Sequence, residues 1–212
     1  MKDMPVFTTE NGVASLTLRE IPYTAKAYIR IQSSREPELL LKECADFCRA
    51  VGAEEIFAAG DKAVEVYPFH TSILRMTCAK AVLGDTDAAL WPVQENTLLQ
   101  WKELYNQKAA KVPNAAWMTD ADCAEMLRTG DGYFIHRGDT LLGIGRAAGE
   151  EIRWVAACMP RAGVDVVRAL AHTVTADTVT LEVASTNEKA MRLYESLGFI
   201  PIAELSRWHR LR

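Results

Sequence analysis

Three side chains near the C-terminal end carry the most suggestive chemistry in this chain: Glu182, Asn187 and Tyr194. A carboxylate and a phenol can take and give a proton, and a side-chain amide can cap a backbone or hold a ligand. Asn187 and Tyr194 are seven residues apart, so about two turns of helix put them on one stripe. Glu182 shares a strand face with Thr180 and Ala184, opposite the apolar Val179, Leu181 and Val183. A carboxylate near the middle of a sheet is costly unless it is paired or used. Each residue therefore has two readings. Glu182 is a base, or it hydrogen-bonds backbone or an Arg. Tyr194 is an acid, or a core aromatic with its hydroxyl satisfied. Asn187 caps a helix under either.

The elements that must position them are legible nearby. Residues 178–183 are rich in β-branched side chains and short, as in a strand inside a sheet. Ser185, Thr186 and Asn187 all suit a helix N-cap, and Ser185 with Glu188 has capping-box spacing. Gly198 stands where a left-handed residue ends a helix, and Phe199 resumes an apolar strand.

This run, with Asn187, Ala190, Leu193, Tyr194, Leu197, Gly198 and Phe199 in place, resembles the C-terminal motif of the GCN5-related N-acetyltransferase family. With Leu181-Glu182-Val183 ahead of the Asn, it is most similar to the ribosomal-protein alanine N-acetyltransferases. The resemblance implies an α/β protein with a mixed sheet, the acyl-CoA N-acyltransferase fold, and acetyl-CoA as co-substrate. It implies that Tyr194 protonates the departing thiolate, that Glu182 is the base, and that Asn187 belongs to the cofactor wall.

The same resemblance assigns the loop Met159-Pro160-Arg161-Ala162-Gly163-Val164-Asp165 to the CoA pyrophosphate. Backbone N–H groups at a helix N-terminus suit such an anion. Gly163 fits the first glycine of the family's loop. Pro160 stands where Gln or Arg is usual, and Asp165 where Gly or Ala is usual. A plain turn into a helix is the other reading, since a lone glycine loop is weakly specific. The preceding strand would splay from residues 178–183 and meet the pantetheine near Val155, Ala156 and Ala157. The two small alanines suit a ligand or dense packing equally.

Other side chains read as structural. His136 stands beside a turn, and His172 lies inside a helix. Trp117, Trp154 and Trp208 are dispersed, as core tryptophans are. Cys44 and Cys48 are one turn apart, but no His has ligand spacing with them, which favours two buried thiols. A net charge of -4 argues against tracking nucleic-acid phosphates. No apolar run reaches the ~20 residues of a membrane helix, and the N-terminal residues lack the apolar core of a signal peptide. Five cysteines without a Cys-x-x-Cys suit a reducing cytoplasm.

The cluster Gly84-Asp85-Thr86-Asp87 marks the expected boundary, giving domains 1–86 and 87–212. From residue 88 the pattern reads strand, two helices, three strands, helix, strand, helix, and two strands over 199–205 and 207–211. The family resemblance covers this stretch. The first half reads as two strands broken at Pro22, a helix over 36–51 stopped by Gly52, a short strand over 55–59 and a strand over 72–82. It is expected to be a partial, degenerate copy of the same fold that lacks the Asn and Tyr helix, or else an unrelated α/β layer. The expected function is acetyl transfer to a primary amine of a small molecule or peptide. The alternatives are a CoA-binding or sensing module without catalysis, and a purely structural domain.

Overall fold

Alternating apolar residues and capped amphipathic runs resolve into eleven strands and seven helices among residues 5–211, which the computed structural model describes. In chain order these begin with β1 (Val6–Thr9), β2 (Gly12–Thr17), α1 (Ile21–Thr24), β3 (Lys26–Ser34), α2 (Pro37–Ala50) and β4 (Glu55–Ala59). A 3-10 segment, Lys62–Val66, leads to β5 (Phe69–Ala79), α3 (Lys80–Leu83), β6 (Ala89–Pro92), α4 (Leu98–Ala109) and α5 (Asp120–Thr129). Then come β7 (Gly132–Arg137), β8 (Thr140–Ala148), β9 (Glu151–Ala157), α6 (Gly163–Thr173), β10 (Thr178–Ala184), α7 (Glu188–Ser196) and β11 (Ile200–Arg210). No helix among the described residues is long and apolar enough to cross a membrane.

The chain divides into two units, Met1–Ser72 with Leu205–Arg212, and Ile73–Glu204. The division therefore falls at 72/73 and again at 204/205, not at the polar cluster 84–87. Composition marked a loop correctly, but residues 73–79 of β5, on its N-terminal side, pair with β10 and so belong to the second unit.

In the first unit β2 pairs antiparallel with β1 and β3, and α2 crosses over to β4, which lies parallel to β3 from Lys26↔Glu55 to Arg30↔Ala59. Pro22 does not break a strand; it sits in the first turn of α1, where its missing N–H costs nothing. Leu40, Leu41, Cys44, Ala45 and Cys48 form the buried stripe of α2 and pack with Ala27, Ile29, Ile56 and Ala58. Burial pushes the Cys44 thiol up to about 12 and Cys48 up to about 11, so both stay protonated. No cluster of three or more His, Cys, Asp or Glu side chains among the described residues could hold a metal.

The second unit orders its strands β5-β10-β9-β8-β7-β6. On one face α6 and α7 bury Val166, Val167, Leu170, Tyr194 and Leu197 against Ile135, Leu142, Ile152, Val179, Leu181 and Val183. On the other, α4 and α5 bury Trp101, Tyr105, Cys123 and Met126 against Phe134 and Ile144 and beside Trp154 and Ala156. Thr119 caps α5 through a reciprocal box with Asp122, and Gly130 ends it at φ 65°. At α7 the cap is Asn187, whose side-chain oxygen accepts from Ala190 N at 3.3 Å.

Two expectations fail at the C-terminal end. Residues 199–205 and 207–211 are one unbroken strand, β11, because no turn-forming Gly, Pro, Asn or Asp separates them. The antiparallel neighbour of β10 is β5, paired from Thr178↔Ala79 to Ala184↔Ile73. The layout read from residue 88 onward is therefore incomplete without a strand from earlier in the chain.

Candidate active site

β9 and β10 are parallel neighbours only briefly. Thr180 pairs with Glu151 and Leu181 with Ile152, and among the described residues the register ends there. Beyond that point each strand is held from its outer side. β9 stays on β8 as far as Ala157↔Gly143, and β10 stays on β5 to its last residue. The facing edges, residues 153–157 and 182–184, are thus left without a strand partner. Backbone N–H and C=O groups at such a place call for a ligand or water.

Alternation along β9 sends Val155 and Ala157 toward the α6 and α7 core, and Trp154 and Ala156 toward α4 and α5. The ring of Trp154 lies 4.0 Å from that of Tyr105, centroid to centroid. Ala156 and Ala157 leave room beside the open edge that larger side chains would occupy.

The loop after β9 is anchored by Cys158 N, which donates to Leu142 O at 2.8 Å. Pro160 and Arg161 are exposed, and Arg161 adopts φ 65°, which non-glycine residues seldom do. Ala162 is buried at the N-cap of α6 and supplies no side-chain acceptor. The first N–H groups of α6, from Gly163 and Val164 onward, are therefore not capped by that residue, as an anion-binding helix end requires. Asp165 would repel an anion there, but its carboxylate is engaged: it accepts from Thr86 Oγ1 at 3.1 Å and pairs with Arg137 Nη2 at 3.1 Å.

Gly163 has a steric role that its sequence context did not show. A Cβ at this position would stand 2.8 Å from Leu193 Cδ2, on α7. Gly163→Ala is expected to cost about 1–2 kcal/mol by overpacking, recovered when Leu193 is also shortened to Ala. Chemical denaturation of the single and double variants measures this, and a neutral Gly163→Ala would remove the packing explanation.

Tyr194 is 6% exposed, in the core with Val183 and Leu197, and its ring meets Phe199 edge-on at 5.8 Å. Burial pushes its phenol well above the ordinary value, so the proton stays on across neutral pH. Glu182 lies on the strand face expected, and it is paired with an Arg. It lies opposite Leu181 and Val183, its side chain is 40% exposed, and Arg75 Nη2 stands 2.9 Å from it across the β5–β10 pair. The structure thus gathers Ala162, Gly163, Leu193 and Tyr194 on the α6–α7 side, with Asn187 at the start of α7. Glu182 lies on the other face of β10. Arg75 and Arg137 were missed from sequence, because nothing local reveals which strand pairs with β10 or what Asp165 faces.

No family model matches the chain, and no curated protein sequence matches it. Solved structures do share its fold. A functionally unknown conserved protein from Staphylococcus epidermidis ATCC 12228 superposes with a TM-score of 0.63 at 10% identity, over 99% of this chain and 94% of that one. A GCN5-related N-acetyltransferase from Anabaena variabilis ATCC 29413 gives 0.60 at 15% identity, over 94% of this chain and 59% of that one. One from Kribbella flavida gives 0.56 at 14% identity, over 94% and 55%. The architecture is the acyl-CoA N-acyltransferase fold of the GCN5-related acetyltransferases. At these identities the likeness concerns the fold.

Proposed function

We propose that the chain is an acetyl-CoA-dependent N-acetyltransferase acting on a primary amine of a small molecule or peptide. The observation that carries this reading is the parting of β9 from β10 after two residue pairs, with small side chains along the opened edge. The residues present fit the co-substrate: unpaired strand-edge amides for its pantetheine amides, and first-turn N–H groups of α6 for its pyrophosphate. When bound, acetyl-CoA supplies an acetyl group activated as a thioester. The edge of β9 near Val155 to Ala157 orients the acyl carbonyl and stabilises the charge that develops on its oxygen. Tyr194 O–H gives its proton to the leaving sulfur. Glu182 takes the proton of the attacking amine, after that amine displaces Arg75.

A free-thiol assay with acetyl-CoA and a panel of antibiotics, polyamines, amino acids and peptides tests the proposal. Thiol release with at least one amine is expected; none across the panel sinks the enzyme reading. In the same assay Glu182→Gln is expected to lower kcat at least about tenfold, the low end being set by the ion pair it already makes. An unchanged kcat leaves Glu182 as a partner of Arg75 only. The loss of the ion pair itself should leave stability almost unchanged, since both groups are well exposed.

A second reading, a CoA-binding or sensing module without catalysis, is favoured by the Glu182–Arg75 pair, which occupies the proposed base. Calorimetric CoA binding without thiol release would select it. For the first unit, we propose a partial second copy of the fold. The order β2, β3, α2, parallel β4 repeats β8, β9, α6, parallel β10. In this copy the parallel strands stay paired over five positions, and the 3-10 segment stands where α7 would be. It therefore lacks the counterparts of Asn187 and Tyr194, and does not take CoA in this proposal.

A further inference from the structure

We infer that, with acetyl-CoA as the co-substrate proposed above, Lys108 on α4 supplies a cation to its pyrophosphate, where the opened edge of β9 meets the loop before α6. That loop is short of donors. Pro160 has no N–H, and Ala162 N is spent on Met159 O at 3.3 Å, closing a turn with Pro160 and Arg161 at its centre. Arg161 takes φ 65°, as the third residue of a type II turn requires. A pyrophosphate carries charge on both phosphates, and charge-assisted bonds hold such a group better than neutral ones.

α4 lies along the same stretch of β9. The Tyr105 ring is 4.0 Å from that of Trp154, and Ala109, one turn on, is buried in the cluster that Ala156 joins. Helix phase sets the way Lys108 faces. Lys102 Nζ stands 2.6 Å from Asp120 Oδ1, and Asn106 Oδ1 accepts from Met118 N at 2.9 Å, so both face the start of α5. Lys108 follows Asn106 by two residues, about 160° round the helix, on the flank turned away from α5. What it faces there is Cys158, the first residue past β9. Burial pushes the Cys158 thiol up, and the nearby Lys108 ammonium draws it partly back. Cys158 adjoins both the open edge 153–157 and the turn 159–162.

The charged groups in and beside the loop leave a place for an anion. Lys108 is half-buried, and its ammonium has no ion pair or hydrogen bond among the described residues. Arg161, exposed in the turn, is likewise unpaired among them. Asp165 and Asp87 share Arg137. Three cations thus stand against two carboxylates, and the two unmatched cations belong to the turn and to the helix beside it. A cation in the last turn also suits the dipole of α4, a role that ligand titration separates from binding.

Calorimetric titration of the full chain with CoA tests this without any turnover. Lys108→Gln is expected to weaken CoA about tenfold, the loss of one charge-assisted bond. Lys108→Arg keeps the charge and should stay within about threefold of the wild type. Dephospho-CoA retains the pyrophosphate and lacks the ribose phosphate, so Lys108→Gln should weaken it about as much as CoA. Lys111→Gln, at an exposed lysine three residues on, is the control and should change nothing. The inference fails if Lys108→Gln binds CoA as the wild type does, whether or not its urea midpoint falls, since a dipole partner alone would act on stability only. It also fails if dephospho-CoA is insensitive to the substitution, which would move Lys108 to the ribose phosphate, or if Lys111→Gln costs as much. A wild-type chain that binds no CoA at about 10 mM, enough to populate even a millimolar site, overturns the co-substrate reading itself. The two failures are therefore told apart by the wild-type titration.

Discussion

Tyr194→Phe is expected to lower kcat for acetyl transfer about a hundredfold while CoA affinity stays as it was, because a positioned general acid contributes roughly 10²–10⁴. The substitution keeps the buried ring and its edge-on contact with Phe199, so the fold is not at stake. What disappears is a proton that burial keeps on the phenol across neutral pH. The leaving thiolate must then find its proton in water. Steady-state thiol release, with CoA binding measured separately by calorimetry, distinguishes the outcomes. An unchanged kcat would make Tyr194 a core aromatic, the other reading its sequence allowed. A parallel loss of CoA affinity would make it part of the cofactor wall.

The largest stability effect is expected at Asp131, a residue with no place in the proposed chemistry. It is 3% exposed and stands between α5 and β7. Its carboxylate accepts from Arg146 Nε at 3.1 Å and Nη2 at 2.9 Å, from Arg153 Nη1 at 3.1 Å and from Thr129 Oγ1 at 2.9 Å. It thereby ties β8 and β9 to the end of α5. Asp131→Ala leaves the largely buried Arg146 without its anion, while Arg153 keeps Glu151 Oε2 at 3.8 Å from its Nε. Removing one member of a buried pair typically costs about 3–5 kcal/mol. Because Arg153 keeps access to water, about 3 kcal/mol is expected. Urea unfolding should show a lower midpoint with an unchanged slope. Asp131→Asn, which retains acceptor and shape, should lose about half as much. A loss within about 0.5 kcal/mol, the usual range for plain surface changes, would show that water replaces the carboxylate.

Local order was legible wherever a residue acts on its immediate neighbours. α6, Gly163–Thr173, is one such element, because its apolar stripe and polar flanks are contiguous in sequence. Thr119 at the start of α5 and Gly130 at its end suit the chemistry of helix ends. The parting of β9 and β10 was foreseen only through family resemblance, since no single strand announces where it leaves its neighbour. Arg75 could not be found at all. Its relation to Glu182 depends on a strand pairing between segments 107 positions apart in sequence, and register between distant strands leaves no local mark. The engagement of Asp165 left no local mark for the same reason, because Arg137 and Thr86 reach it from elsewhere in the chain.

The seat of β5 beside β10 also governs how the polypeptide reaches this state. Residues 73–79 leave the ribosome long before their partners at 178–184. Until then the edge of β5 that meets β10 is bare, with Leu74 and Met76 among its side chains. Folding of the second unit is consequently a late, non-local event that waits for nearly the whole chain, and contacts this distant slow the search. A ribosome stalled before β10 would present a sticky edge, the state that chaperones recognise and that identical nascent chains can trade between themselves.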